Sequence, residues 1–186
     1  MYFYKTEISG VFIIKPKKHG NHNGKWFDSY DKEEFNKLGI KNEFVLEKQY
    51  YYKYGNIIGL GFQNGKFAQA KLISVIQGQT LNIAVDLRKK SPTFGKHISA
   101  LLNDQENNML FIPRGFAHGY SIQSDTAILT IKTDNLRSIY HQKGIIYNDP
   151  DLKINWGIPD DKIIIANEIL DWPTFKQWQQ QSKKTR

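Results

Sequence analysis

The stretch Pro113-Arg-Gly-Phe-Ala-His-Gly-Tyr120 joins two apolar runs, Met109-Leu-Phe-Ile112 before it and Gly119 to Ile122 at its end. Proline has no N–H to give to a strand ladder, so the first run stops at Pro113, and Gly115 shapes the tight turn that follows. His118 is then carried on the returning strand. The same rhythm continues on either side. Ala70-Lys-Leu-Ile-Ser-Val-Ile76 alternates, which puts Lys71, Ile73 and Val75 on one face. Gln77-Gly-Gln79 is a turn, Leu81 to Asp86 a strand, Arg88 to Gly95 a turn with Ser-Pro, and His97 to Leu102 another strand. Beyond the polar loop Asn103 to Asn108 come the hairpin already described, the turn Gln123-Ser-Asp125 and the strand Ala127 to Lys132. Val11 to Ile14 is a further short apolar run. Evenly spaced short strands with turns between them predict an all-β sandwich or barrel.

Helices are few. Asp31-Lys-Glu-Glu34 has the form of a capping box, with Phe35 and Leu38 as an apolar face and Gly39 as a stop, which predicts a helix near residues 31–38. Pro173 is expected to start a last helix through Gln180, after a loop-rich stretch carrying Trp156 and Trp172. No repeat or linker divides the 186 residues, so one domain is expected over 1–186. It comprises an N-terminal arm with a short helix (1–45), a barrel core (46–135) and C-terminal loops with a helix (136–186).

Composition narrows the function. The chain is 40% hydrophobic with eleven Phe, ten Tyr and four Trp, which excludes a disordered chain. No apolar run approaches the length of a bilayer span, and Met1-Tyr-Phe-Tyr-Lys5 does not open like a signal peptide, so no membrane partner is expected and the expected location is the cytoplasm. Without cysteine there is neither a disulfide nor a thiolate metal site. The net charge of +8 is dispersed over clusters such as Lys15-Pro-Lys-Lys18, Arg88-Lys-Lys90 and Lys183-Lys-Thr-Arg186. No nucleic-acid motif accompanies them, so solvated turns and tail are expected rather than nucleic acid binding, while a nucleotide diphosphate suits the same field.

Pro113, Gly115 and His118 match the Pro-x-Gly-x-x-His hairpin of cupins. The companion cupin hairpin carries His-x-His, then Glu, then six residues to a glycine. Here Gly61 and Gln63, from Ile58-Gly-Leu-Gly-Phe-Gln63, fill the histidine slots, and Lys71, six residues before Gly78, fills the glutamate slot. One imidazole, one amide and one ammonium are a poor donor set for a divalent ion, so no metal is expected. A cation at the barrel mouth suits an anion or a carbonyl oxygen.

Longer segments make the resemblance specific. Ala68-Gln-Ala-Lys-Leu72, Val85-Asp-Leu-Arg88, Ser91-Pro-Thr-Phe-Gly95, Phe111 to Gly119, Ser124-Asp-Thr-Ala127 and Asp149-Pro-Asp-Leu152 with Asn155-Trp156 stand in order and spacing as in the dTDP-4-dehydrorhamnose 3,5-epimerases. The chain resembles that family over nearly its whole length. The resemblance implies a double-sheeted antiparallel cupin (jelly-roll) barrel with a few short helices, a homodimer, a dTDP-linked sugar as ligand and no cofactor. It also implies a reaction in which a histidine removes the proton alpha to a ketone and a tyrosine re-protonates the enolate from the other face.

The departures fall on that machinery. The family's basic histidine is Gly61 here, and the arginine before it is Ile58. The tyrosine acid has no counterpart at Leu136 or Arg137. The carboxylate that orients the histidine, shortly before a Leu-Pro in the family, aligns with Ile169, and an early arginine is Asn23. The positions that survive for substrate binding are Asp28, Gln49, Gln63, Lys71, Arg114, His118 and Lys132, with His118 and Tyr120 as substitute acid–base groups. Tyr50, Tyr51, Tyr52 and Tyr54 are expected to fill space near the altered motif or to stack on a base. His19, His22, His97 and His141 are expected to be solvated. The expected function is a nucleotide-sugar-binding homologue without ordinary epimerase activity. The alternatives are an active dTDP-4-keto-6-deoxyhexose epimerase using substitutes and a purely structural barrel.

Overall fold

The computed structural model describes residues 1–184, so the last two residues of the basic tail lie outside the described residues. The strands are β1 (Tyr2–Lys5), β2 (Phe12–Lys15), β3 (His19–Asn21), β4 (Gly24–Trp26), β5 (Leu46–Lys53), β6 (Asn56–Gln63), β7 (Lys71–Gln77), β8 (Gln79–Asp86), β9 (His97–Asn103), β10 (Met109–Ile112), β11 (Phe116–Ile122), β12 (Thr126–Thr133), β13 (Gln142–Gly144) and β14 (Ile164–Ile165). The α-helices are α1 (Lys32–Lys37), α2 (Asn167–Leu170) and α3 (Phe175–Lys184). None of the described helices is long and apolar enough to cross a membrane.

Two main sheets face each other, in the orders β1-β2-β10-β7-β12-β5 and β13-β6-β11-β8-β9, with β3 and β4 forming a separate hairpin. Every pairing is antiparallel except that of β14, which runs parallel to β6. This is the double-sheeted cupin barrel, and strands from the arm (β1, β2) and the tail (β13, β14) are built into its sheets.

Three apolar clusters explain which strands read as alternating and which as continuous runs. Ile73, Val75, Leu102, Leu110, Ile112, Tyr120, Ile122 and Leu129 meet between the sheets. A second cluster lies under the C-terminal segment, where Ile57, Leu60, Ile83, Val85 and Ala117 are covered by Ile145, Leu152, Trp156 and Phe175. The third packs Ile14, Leu72, Met109 and Phe111 beneath Phe35 of α1. β10 and β11 are therefore covered on both faces and buried throughout, which accounts for their unbroken apolar character.

The first helix forms where the sequence predicts it. Asp31 caps it, its Oδ1 accepting from the backbone N–H groups of Glu33 at 2.8 Å and Glu34 at 3.2 Å. Glu34 does not complete the box; it pairs instead with Lys37 and the N-terminal amine. The last helix starts at Phe175, two residues later than expected from Pro173. Its cap is Thr174: the hydroxyl accepts from Gln177 N, and Gln177 Oε1 accepts from Thr174 N at 2.9 Å. That reciprocal pair is a capping box in which Pro173 lies outside the helix.

Candidate functional site

β5, β6, β7, β11 and β12 open at one end into a cavity of about 430 Å³, which the tail segment Ala166 to Trp172 closes on one side. Alternation on β7 aims Lys71 the same way as Ile73 and Val75, toward the space between the sheets. Lys71 and His118 line this cavity together with Gly61, Gln63, Tyr120 and Ile169.

Burial pushes the Lys71 ammonium down to about 8. Burial, and then the positive charge of Lys71, hold His118 well below the usual imidazole range, so the ring is neutral. Its proton can be placed. Asn82 Nδ2 donates to Thr80 Oγ1 at 2.8 Å, which turns Asn82 Oδ1 toward His118 Nε2 at 3.2 Å. A carbonyl oxygen only accepts, so Nε2 carries the hydrogen and Nδ1 keeps the lone pair. Burial, with Tyr52 and Tyr50 adding to it, raises the Tyr120 phenol well above its ordinary value. The site thus offers a cation or amine at Lys71 and a firmly protonated phenol at Tyr120, which suit a carbonyl or anionic oxygen, and at His118 a neutral imidazole whose free Nδ1 can accept from a hydroxyl.

Gly61 is paired across the β6–β13 ladder with Gly144. The indole of Trp172 lies over the pair: a β-carbon built on Gly61 would come within 3.3 Å of its Cη2. Ile169 is buried in the cavity wall. Leu136 is 59% exposed and stands outside the wall, whereas its neighbour Arg137 is part of it.

The remaining sequence candidates do not gather here. Gln49 and Lys132 line a separate groove, in which Lys132 Nζ pairs with Glu47 at 2.5 Å. Asp28 lies in a small hollow with Lys17 and His19. Arg114 is exposed and bonded to Asp134 at 2.9 Å. Gln63 reaches the cavity, but its Oε1 accepts from the backbone N–H of Ser138 at 3.0 Å. Of the other histidines, His22 is exposed; His19 stacks on Trp26 at 4.5 Å, His141 bonds Ser138, and His97, on the edge strand β9, is partly buried.

Of the tyrosine run expected to fill space near the altered motif, Tyr50 and Tyr52 line the wall, while Glu168 and Trp172 line it without any expectation from the sequence. Tyr50 and Tyr52 alternate into the cavity while Tyr51 points out at 60% exposure, an alternation that the row of consecutive tyrosines conceals in the sequence. Glu168, next to Ile169, is the one carboxylate among the described residues of the wall. Trp172 gave no signal, because only the folded tail brings it to Gly61.

A family model for dTDP-4-dehydrorhamnose 3,5-epimerase matches residues 5–177. The chain belongs to that family. An epimerase of this name from Shigella flexneri is 36% identical over 176 residues, spanning 92% of this chain and 97% of the relative. One from Methanothermobacter thermautotrophicus is 34% identical over 94% of this chain and 95% of its own length. Among solved structures, the dTDP-4-dehydrorhamnose 3,5-epimerase of Elizabethkingia anophelis superposes with a TM-score of 0.92 at 35% identity, covering 95% of this chain and 97% of its own. An epimerase from Legionella pneumophila, solved in complex with dTDP-4-keto-L-rhamnose, gives a TM-score of 0.90 at 29% identity over 94% and 93% of the two chains.

Proposed function

We propose that this protein binds a nucleotide-diphosphate sugar, dTDP-linked, in the Lys71–His118 cavity and does not carry out the ordinary double epimerisation. One feature supports the reading: the position at which the resemblance implies the proton-abstracting base is Gly61, with the edge of an indole before it and a second glycine beside it. Glycine cannot take a proton. Lys71 remains placed to hold a carbonyl or anionic oxygen and the bare Nδ1 of His118 to accept from a sugar hydroxyl, which supports binding without the lost chemistry. The protein is taken to act in the cytoplasm as a homodimer in deoxysugar metabolism, by resemblance to its family.

The test is incubation with a dTDP-4-keto-6-deoxyhexose in deuterated water. The expected result is saturable binding with no deuterium at C3 or C5 of the recovered sugar. Deuterium at either carbon overturns the proposal. A second reading would then hold, favoured by the presence of Glu168, His118 and Tyr120 in one cavity wall: an epimerase working through substitute groups. Absence of binding would leave a structural barrel.

A further inference from the structure

The Gly61–Gly144 pair has a geometry of its own. Leu60 and Ile145, the neighbouring pair on the ladder, exchange both backbone hydrogen bonds, at 3.2 and 3.0 Å. Gly61 and Gly144 are therefore a non-hydrogen-bonded pair, the kind whose side chains would stand closest together. Two glycines there leave a bare patch of backbone, with Gly61 in the cavity wall and Gly144 buried beside it. Trp172 lies flat on it. A β-carbon on Gly144 would fall 2.0 Å from indole Cδ2 and Cε3 and 2.4 Å from Cε2, so the ring face covers Gly144, while its benzo edge stands before Gly61.

The ring is held from both sides in the chain. Trp172 N donates to Ile169 O, and the carbonyl of Pro173 accepts from Ile146 N at 3.0 Å, just beyond β13. No side chain at 144 can coexist with the indole where it now lies, and a β-carbon at 61 would require its edge to shift by a few tenths of an ångström. Gly144 and Trp172 thus fit as one unit, with Gly61 at its edge. The indole lines the cavity and does not fill it, since about 430 Å³ remains open beside it.

We infer that Trp172 on its two-glycine floor is a hexose-stacking subsite, which selects the sugar half of the ligand at the place where the base would stand. A pyranose presents a face of C–H bonds, weakly positive, and the face of an indole is electron-rich, so the two pack with a directional gain beyond burial. Lys71 and His118 line the same cavity and are available to the polar edge of the sugar. The inference rests on the nucleotide-sugar reading and specifies how that site tells a sugar nucleotide from a bare nucleotide.

The test compares calorimetric binding of dTDP and dTDP-glucose to the intact protein, W172F and W172L. The wild type should bind dTDP-glucose more tightly than dTDP. W172L should lose about three- to tenfold in affinity for dTDP-glucose and leave dTDP unchanged, with W172F in between. Tryptophan emission should respond to dTDP-glucose in the wild type and not in W172F, which retains Trp26, Trp156 and Trp178. Equal wild-type affinity for the two ligands, or equal losses for both in W172F and W172L, overturns the subsite while leaving nucleotide binding in place. If neither ligand binds the wild type, the nucleotide-sugar reading fails and the subsite with it.

Discussion

Lys71 is an ammonium at the mouth of an apolar barrel, and burial alone sets its basicity, with no carboxylate to offset the lost hydration. Its position fits ligand binding at some cost to the fold. In the folded chain it titrates at about 8, against an ordinary value of 10.5. Between these values the unfolded chain holds the proton that the folded chain has lost, so stability should rise as pH climbs from about 8 toward 10.5. Affinity for an anionic ligand should move the opposite way and fall as pH rises through about 8, because the charge that attracts the ligand disappears. Thermal melts and calorimetric titrations across that range check both signs. Lys71→Met should raise stability by about 1 kcal/mol or more, since an unpaired buried charge is removed, and should abolish the pH dependence of binding. A second expectation concerns Gly61. Gly61→His must push aside the edge of the Trp172 indole, so it should destabilise by about 1–3 kcal/mol and yield no epimerisation. Gly61→His with Trp172→Leu should fold better than Gly61→His alone, and with Ile169→Asp added, turnover of the keto-sugar, read through a coupled reductase, is where any recovered activity would register.

The turn between β8 and β9 shows how a motif can be structural. Asp86 is fully buried and accepts from Arg88 at 2.9 and 2.8 Å, Ser91 at 2.6 Å and Thr93 at 2.7 Å. These bonds overcome the opposing effect of burial and hold its carboxyl down at about 2. The stabilisation is complete above the ordinary carboxylate range and is lost as pH falls toward 2. Asp86→Asn should cost on the order of 3 kcal/mol in a denaturant melt at neutral pH and flatten the acid limb of the stability curve. The strands that the sequence made legible are those with a clear face, as in β7, or with a proline stop, as in β10. β5 and β6 were not delimited in advance: one is a row of tyrosines, the other is loosened by glycines, and neither shows a simple apolar alternation. The late start of α3 has the same kind of cause. Pro173 favours a first helical turn, but the Thr174–Gln177 pair satisfies more of the free N–H groups. Thr174→Ala should lower stability by about 1 kcal/mol, measurable in the same melts.

Across the whole molecule, the barrel was legible because its hairpins keep their order and spacing. The candidate site was legible only where it lies on barrel strands, as Lys71, His118 and Tyr120 do. Trp172 and Glu168 reach the cavity from the tail, whose path no local pattern reveals. Asp28, Gln49, Arg114 and Lys132, which the resemblance assigns to the substrate, lie outside this cavity within one chain. In solution the protein is expected to be a dimer, and light scattering on a sizing column should return the mass of two chains. With a net charge of +8, binding of a dTDP-sugar should weaken as ionic strength rises. The short parallel pairing of β14 with β6, the one exception in an antiparallel barrel, fixes where the tail crosses the sheet before it delivers Ile169 and Trp172. The pocket's chemistry is therefore divided between two parts of the chain, a barrel frame and a rim laid across it by the tail. Grafting residues 164–173 from an active relative, together with a histidine at position 61, would exchange the rim without touching the frame. A lineage could gain or retire a reaction by the same route, through changes at a chain end that leave the fold intact.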